Sequence, residues 1–152
     1  MPTSLKISPK DDPSIWNSRE KTMKILQPPH WVRPKGYSNG ISASGELVVT
    51  GGMVGWDENE NFVSENLAEQ AAQTFKNIMQ VLHEAGAKPK HIIRLTWYIV
   101  DKVEYQYYLK DIGLAYQSVF GKHFPAMAVV EVSALMEEKA KIEIEAMAII
   151  PK

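Results

Sequence analysis

The chain has 152 residues, of which 45% are apolar and 23% charged, and its formal net charge is −1. This size and balance predict one globular domain with one hydrophobic core. The near-neutral charge offers no basic excess for neutralising a long phosphate backbone, so we expect no nucleic-acid partner. The absence of cysteine excludes disulfides, thiolate metal sites and thiol nucleophiles, and it fits a reducing compartment.

The start of the chain is polar and contains several prolines. It predicts a flexible extension at residues 1–20, followed by a single domain at 21–152. There is no secretion-signal core and no apolar stretch long enough to span a bilayer, so we expect a cytoplasmic protein without a membrane partner. Because metal-ligand spacings and nucleotide-binding motifs are missing, we also expect no metal and no cofactor.

Three strand-like segments precede the first helix. Residues 22–26 predict a short strand that ends at two prolines, because proline cannot continue a hydrogen-bonded ladder. Residues 37–43 and 46–54 predict the two arms of a β-hairpin, since Ser44-Gly45 between them supplies turn geometry.

Apolar residues at helical spacing predict two helices. Asn66, with Glu69 three residues later, has the spacing of a capping box and predicts the start of the first helix, and Gly86 predicts its end. The second helix is predicted from about Tyr105 to Phe120. The stripe of the first helix that is predicted to face the core comprises Leu67, Ala71, Thr74, Ile78, Val81, Leu82 and Ala85.

Strand-like runs at 91–100, 126–133 and 140–150 complete the order β-β-β-α-β-α-β-β. We therefore predict an α+β fold in which two helices pack on one face of a mixed β-sheet. Because side chains alternate along a strand, Glu143 and Glu145 are expected on the same side.

The face of the sheet without helices is expected to carry these glutamates together with Met127, Val129, and Trp97 or its neighbours. A partly apolar face of this kind is rarely left open on a monomer. The sequence therefore predicts self-association through that face.

Several separated segments between about Tyr37 and Ile150 resemble the Rid/YjgF family, also called the endoribonuclease L-PSP family, in order and spacing. The resemblance implies the chorismate-mutase-like Rid fold and a barrel-like homotrimer that binds a small-molecule ligand in clefts between subunits. The segments are Gly36-Tyr37-Ser38-Asn39-Gly40, Leu47-Val48-Val49-Thr50-Gly51-Gly52, Gln70-Ala71-Ala72-Gln73-Thr74, the run from Phe124 to Val132, and Ile142-Glu143-Ile144-Glu145-Ala146.

The resemblance implies two catalytic candidates, Glu143 and Tyr37. Glu143 falls on the glutamate that family members use to orient or activate a water attacking an imine carbon. The alternative is a solvent-facing strand glutamate beside Lys141. Tyr37 falls on the tyrosine that borders the ligand cleft, where its hydroxyl can donate to a ligand. The alternative is a half-buried tyrosine at an interface.

Further residues are assigned to ligand binding. Gly51 and Gly52 fall where family members bring backbone N–H groups close to the ligand, although a diglycine is often only a bend. Trp56, just after the predicted hairpin, is expected to line the cleft. Glu131 and Glu145 are expected to be mainly structural or interface residues.

Met127 departs from the family pattern. Active imine deaminases of the family carry an arginine here, whose planar guanidinium holds the substrate carboxylate through paired hydrogen bonds. Methionine cannot make that contact. Val129 likewise replaces the usual cysteine, and Gly113 falls near an expected asparagine. Arg33 would compensate if its loop folded over the cleft, and the alternative is a solvated surface arginine.

We interpret the chain as a divergent enzyme that hydrolytically deaminates a reactive enamine or imine lacking the usual small α-carboxylate. Met127 and Val129 would help to shape its pocket. The alternative is a non-catalytic trimer that binds a small molecule or acts like a holdase. An endoribonuclease is disfavoured by the near-neutral charge, the scarcity of arginine and the lack of a histidine pair.

Overall fold

The computed structural model describes residues 23–152, in which seven strands and three α-helices form. The predicted extension at 1–20 lies outside the described residues. The strands are β1 (Met23–Leu26), β2 (Gly40–Ala43), β3 (Glu46–Val49), β4 (Met53–Val54), β5 (Ile92–Ile99), β6 (Ala126–Glu131) and β7 (Ile142–Ile150). The helices are α1 (Leu67–Glu84), α2 (Lys102–Tyr107) and α3 (Leu109–Phe120).

The main sheet contains β3, β7, β5 and β6 side by side in that order, and β4 also pairs with β7. β5 and β6 are parallel, whereas the pairs that β7 makes with β3, β4 and β5 are antiparallel. The prediction of an α+β fold with a mixed sheet is therefore confirmed. The connection from β5 to β6 is helical, as a parallel pair requires a crossover.

The predicted hairpin of residues 37–43 with 46–54 is wrong. β2 pairs with β1 in a separate two-stranded sheet, whereas β3 pairs with β7. Ser44 and Gly45 therefore lead the chain from one sheet into the other. A Cβ on Gly45 would overlap the carbonyl of Ile150, so only glycine allows the two backbones to approach this closely.

Helix α1 begins and ends as the sequence predicts. The Asn66 side-chain oxygen accepts a hydrogen bond from the N–H of Glu69 at 3.1 Å, and Gly86 follows the C-terminal end with a φ of 82°. Of the predicted core stripe, Val81 and Ala85 are exposed and the other members are buried.

The second predicted helix is in fact two helices. The Asp101 carboxylate caps α2 by accepting from the N–H groups of Val103 and Glu104, and Tyr108 separates α2 from α3. Apolar residues keep their helical spacing through the break, which is why the sequence predicts one continuous helix. No helix among residues 23–152 has both the length and the apolar character needed to cross a bilayer.

The helices and the sheet enclose one apolar core. β5 and β7 direct alternate side chains into it, including Leu95, Ile99, Ile142 and Ile144. Their intervening side chains, among them Glu143, point to the opposite face. We call this side of the sheet, which the helices do not cover, the open face.

Met127 and Val129 do not lie on the open face, so their prediction is wrong; Trp97 does not lie there either, but its neighbour Tyr98 does, opposite Glu143. Met127 pairs with Leu95, and Val129 pairs with Trp97, and residues directly opposite in neighbouring strands point to the same side. Leu95 is completely buried and Trp97 is 4% exposed, so this side is the one covered by helices. The glutamates of β7 do lie on the open face, as predicted.

Candidate functional site

The loop before β2 carries Tyr37 to the edge strand β6. The backbone N–H of Ser38 donates to the carbonyl of Pro125 at 3.0 Å, and its hydroxyl donates to the carbonyl of Phe124 at 2.6 Å. These two bonds hold the loop beside the start of β6. The Tyr37 side chain is left 43% exposed and available to a ligand.

A cavity of about 520 Å³ lies between β6, the loop before β2 and helices α2 and α3. We call it the β6 cavity. Three predicted site residues, Tyr37, Met127 and Val129, meet there. Its full lining is Lys35, Gly36, Tyr37, Trp97, Tyr105, Leu109, Ile112, Gly113, Tyr116, Gln117, Phe124, Met127 and Val129.

Five of the thirteen lining residues are aromatic. Trp97 and Tyr105 belong to the aromatic residues whose sequence allows either a pocket wall or a place in the core, and Tyr116 and Phe124 were not assigned to a site. Tyr116 stacks on Phe124 with ring centroids 5.7 Å apart and planes 9° apart, and Trp97 stacks on Tyr116 at 6.2 Å. Tyr105 approaches Trp97 edge-on. A wall of this kind favours a planar, apolar ligand.

The interior of the β6 cavity is uncharged. Burial raises the pKa values of Tyr105 and Tyr116, so their hydroxyls ionise less readily than that of an exposed tyrosine. Tyr116 donates its hydroxyl hydrogen to the carbonyl of His123. The one charged side chain in the lining is Lys35, which is exposed. Arg33 is also exposed and is not part of the lining.

A second feature, which we call the Glu143 notch, lies on the open face. It consists of Glu143, Gly51 and Gly52. A Cβ on Gly52 would overlap the Glu143 carboxylate, so the glycine lets this carboxylate lie directly against the backbone. Gly51 has open space around it.

Thr50 fixes the backbone of the notch to β7. Its N–H donates to the carbonyl of Ala146 at 3.0 Å, and its hydroxyl accepts from the Ala146 N–H at 3.0 Å. The same hydroxyl donates to the carbonyl of Gly51 at 2.8 Å. Thr50 is a buried polar residue that the sequence analysis missed, although it directly precedes the diglycine.

A tyrosine–glutamate pair adjoins the notch. The Tyr98 hydroxyl donates to Glu145 Oε1 at 2.8 Å, and this bond is the main reason that the pKa of Tyr98 is raised. Tyr98 also lies directly opposite Glu143 in the sheet register. Glu145 is therefore engaged with Tyr98.

The remaining candidates lie elsewhere. Trp56 packs against Phe62 with ring centroids 5.6 Å apart and is absent from the lining of the β6 cavity. Glu131 Oε1 accepts from the backbone N–H of Lys102 at 2.7 Å and so ties the end of β6 to the start of α2. This bond gives Glu131 a structural role.

One protomer does not bring the β6 cavity and the Glu143 notch together. Glu143 projects from the open face of β7, whereas Met127 projects from the opposite side of β6. β5 lies between these two strands. A reaction that needs both features therefore needs more than one copy of the chain.

The structure also brings two histidines together, contrary to the lack of a histidine pair noted in the sequence. His91 and His123 line one cavity of about 630 Å³ with Lys90 and Lys152. Burial, and then the charges of neighbouring lysines, lowers the pKa of His91. Among residues 23–152, no three histidine or carboxylate side chains group as metal ligands would.

Comparison with known proteins identifies the family. The model of the family described as Endoribonuclease L-PSP matches residues 32–150, which is most of the chain. The chain belongs to the Rid/YjgF family. Its similarity to this Rid family extends over the strands, the helices and both candidate features, since all of these except β1 lie within the match.

Among Rid relatives, the 2-iminobutanoate/2-iminopropanoate deaminase of Salmonella typhimurium is 30% identical over 132 residues, covering 85% of this chain and 97% of that protein. The human protein of the same name is 30% identical over 114 residues, covering 74% of this chain and 79% of its own length.

Solved Rid structures have the same fold. A Rid-family protein of unknown function from Yersinia pestis superposes with a TM-score of 0.75 at 28% identity, covering 85% of this chain and 99% of that one. The YjgF protein of E. coli superposes with a TM-score of 0.59 at 29% identity, covering 74% and 87% of the two chains.

Proposed function

We propose that this Rid protein hydrolyses an imine or enamine and releases ammonia. Relatives named as imine deaminases, which align along most of the chain, support the reaction class. The observation that carries the proposal is the position of the Glu143 carboxylate against the backbone of Gly52. A carboxylate beside main-chain polar groups can hold a water molecule in a fixed orientation.

The proposed reaction adds water across the C=N bond. As the water oxygen bonds to the imine carbon, Glu143 accepts one of its protons and the π electrons move to nitrogen, which takes up a proton. The tetrahedral intermediate then collapses: the hydroxyl proton is transferred to nitrogen through Glu143, the C–N bond breaks, and ammonia leaves, giving a carbonyl product. In this scheme Glu143 transfers protons, and Tyr37 donates a hydrogen bond to the substrate.

The proposed substrate class follows from the β6 cavity. Met127 stands where active family members carry arginine, and the cavity interior has no charged group to hold an α-carboxylate. Its aromatic wall fits a larger, planar imine whose apolar part fills the cavity. We propose that Met127 and Val129 contact this apolar part.

We further propose that the site forms between copies of the chain in a homotrimer. The open face exposes large apolar side chains, with Leu47 56% and Val49 57% exposed, and its partner would cover them. The Glu143 notch of one subunit would then complete the β6 cavity of another. Sedimentation equilibrium tests the assembly: we expect about three times the 17.1 kDa chain mass, and a stable monomer would contradict it.

An ammonia-release assay tests the function. We expect release from bulky imines without a carboxylate, generated in the assay by a flavin amine oxidase acting on aromatic or long apolar primary amines, with weaker release from 2-iminopropionate. Controls without protein measure spontaneous hydrolysis. Binding of bulky analogues without any rate increase would support the non-catalytic alternative, for which the cavity suffices without Glu143.

RNA cleavage is a second candidate because His91 and His123 share a cavity with two lysines. A histidine pair can act as general base and general acid on a ribose 2′-hydroxyl. The near-neutral charge still disfavours extended RNA binding. Cleavage of single-stranded RNA that H91N and H123N each abolish would support this candidate, and equal background cleavage by all three proteins would contradict it.

A further inference from the structure

The indole nitrogen of Trp97 differs from the other buried polar side-chain atoms of the protein. Among the described residues 23–152, it is the only one without a hydrogen-bond partner. A buried N–H without an acceptor has lost its hydrogen bond to water and makes none in the protein, so its burial destabilises the folded state. Native proteins seldom leave a donor in this state, and a missing ligand is one explanation.

The position of Trp97 points to such a ligand. Its side chain is 4% exposed and forms part of the lining of the β6 cavity. The ring is held by Phe75, which approaches at 5.3 Å, and by Tyr116, which stacks at 6.2 Å. Trp97 also lies opposite Val129 in the sheet register. The ring is therefore held in a fixed orientation, and its residue lies opposite one of the positions where the family pattern changes.

The other polar side chains of the lining are Lys35, Tyr37, Tyr105, Tyr116 and Gln117, and none of their polar atoms is both buried and unpaired. The Tyr116 hydroxyl is already bonded to the carbonyl of His123, and Lys35 is exposed in the loop before β2. A neutral donor in an apolar wall pairs best with a neutral acceptor, because a carboxylate would be desolvated there without a cation. A carbonyl or ether oxygen meets this requirement.

We propose that Trp97 determines specificity by donating its indole N–H to a neutral acceptor oxygen on a planar ligand of the β6 cavity. The ligand class is an uncharged imine or enamine that carries a carbonyl or aryl ether oxygen away from the reacting carbon. This inference rests on the proposed function, because it concerns the same cavity. Trp97 contacts the part of the substrate that does not react.

Ligand entry requires a small rearrangement. The indole nitrogen is buried in the free protein, so a lining side chain must move before a ligand oxygen reaches it. Met127 is the unbranched, flexible side chain at the neighbouring register position, and methionine adapts readily to new neighbours. An arginine at this position would compete for the same space.

The test uses two stable probes, 1-indanone and indane, which share a planar bicyclic skeleton and differ in one carbonyl oxygen. Binding of each to the full chain is measured for the wild type and for W97F, which removes the donor and keeps an aromatic ring. We expect W97F to weaken 1-indanone binding about tenfold and to change indane binding by less than about threefold. The smaller ring affects both probes, so the ratio isolates the hydrogen bond.

A spectroscopic measurement on the wild type does not depend on the variant. In ¹⁵N-labelled protein, the indole N–H resonance of Trp97 is expected to move downfield when 1-indanone saturates the cavity and to move much less with indane. The indole signals of Trp31 and Trp56, which lie outside the cavity lining, are internal controls. If W97F does not fold, this measurement alone tests whether the Trp97 N–H donates to the ligand oxygen.

Equal weakening of both probes by W97F, an unmoved Trp97 resonance, or no binding of 1-indanone at millimolar concentration would overturn the proposal. None of these results depends on ammonia release. Selective binding by a protein that hydrolyses no imine would contradict the proposed function alone. Turnover without Trp97-dependent selectivity would contradict this inference alone.

Discussion

The β6 cavity and the Glu143 notch differ in almost every physical respect. The cavity has an aromatic wall, is uncharged inside and lies on the helix-covered side of the sheet. The notch is acidic, made by one carboxylate against a glycine backbone, and lies on the open face. The contrast separates two tasks: the cavity has the chemistry to select a ligand, and the notch has the chemistry to move a proton. Substitutions at residues such as Met127 can then change which ligand is preferred, while the proposed acid–base group, the Glu143 carboxylate, stays the same.

The largest effect should come from removing the acid–base group of the notch. E143Q keeps the size of the side chain and loses its basicity, so we expect ammonia release to fall by about 10²–10⁴-fold with little change in ligand binding. The matched control is E145Q, on the same face of β7, whose ammonia-release activity should fall far less. A fully active E143Q would show that the notch is not the reacting half.

The next effect tests whether the cavity selects the ligand. M127R places a guanidinium where the family pattern has one, so release of ammonia from 2-iminopropionate should rise, by about tenfold or more. Rates with bulky apolar imines should fall in parallel. M127L, which keeps the wall apolar, is the control and should leave the preference unchanged. If M127R releases ammonia from small imino acids no faster than the wild type, the missing cation does not limit the rate with these substrates.

A smaller effect is expected from the backbone of the notch. The Cβ of G52A would overlap the end of the flexible Glu143 side chain, which can swing away at low cost to stability. We therefore expect about a tenfold loss of activity with a nearly unchanged thermal midpoint. G51A adds its Cβ to open space and should lose less activity. Equal losses in both variants would rule out displacement of the carboxylate as the cause.

The smallest effect concerns alkaline pH and the cavity wall. Because burial raises the pKa of Tyr116, the unfolded chain releases this proton at a lower pH than the folded protein does. The stability that the protonated Tyr116 hydroxyl contributes is fully present below about pH 10, the pKa of an unfolded tyrosine. As the pH rises from there toward the higher pKa of the folded protein, the free energy of unfolding falls.

Urea unfolding at several pH values from 8 to 11 measures this decline. Y116F should decline less steeply than the wild type, although it starts from a lower stability because the His123 carbonyl loses its donor. Y107F is the control, since Tyr107 is 80% exposed and should leave the pH dependence unchanged. Identical slopes in all three proteins would contradict the burial of the Tyr116 hydroxyl.

Much of the fold could be predicted because local signals mark the elements. The Asn66 cap and Gly86 define α1, and alternation along β7 correctly places Glu143 and Glu145 on one side. The sequence does not state which strands pair. A short glycine turn is typical of a hairpin, so the residues on either side of Ser44-Gly45 suggest one. Instead β2 pairs with the preceding strand β1, and β3 pairs with the distant β7.

The candidate site could be predicted only in part for the same reason. Glu143 and Gly52, which the family resemblance assigns separately to the site, lie against each other, but the side of the sheet occupied by Met127 depends on its register with Leu95. Trp97 and Tyr116 carry no motif, since aromatic residues at core spacing look alike whether or not they border a cavity. Their role becomes visible only when the unpaired indole nitrogen is located.

The central position of β7 has a consequence for biosynthesis. This strand comes last in chain order, yet it separates β3 from β5 and pairs with both, as well as with β4. During translation β3, β4 and one edge of β5 stay unpaired until residues 142–150 leave the ribosomal tunnel, whereas the β1–β2 and β5–β6 pairs do not involve β7. Until then these unpaired edges can pair with wrong partners, and the Glu143 carboxylate arrives in the same step that completes the sheet.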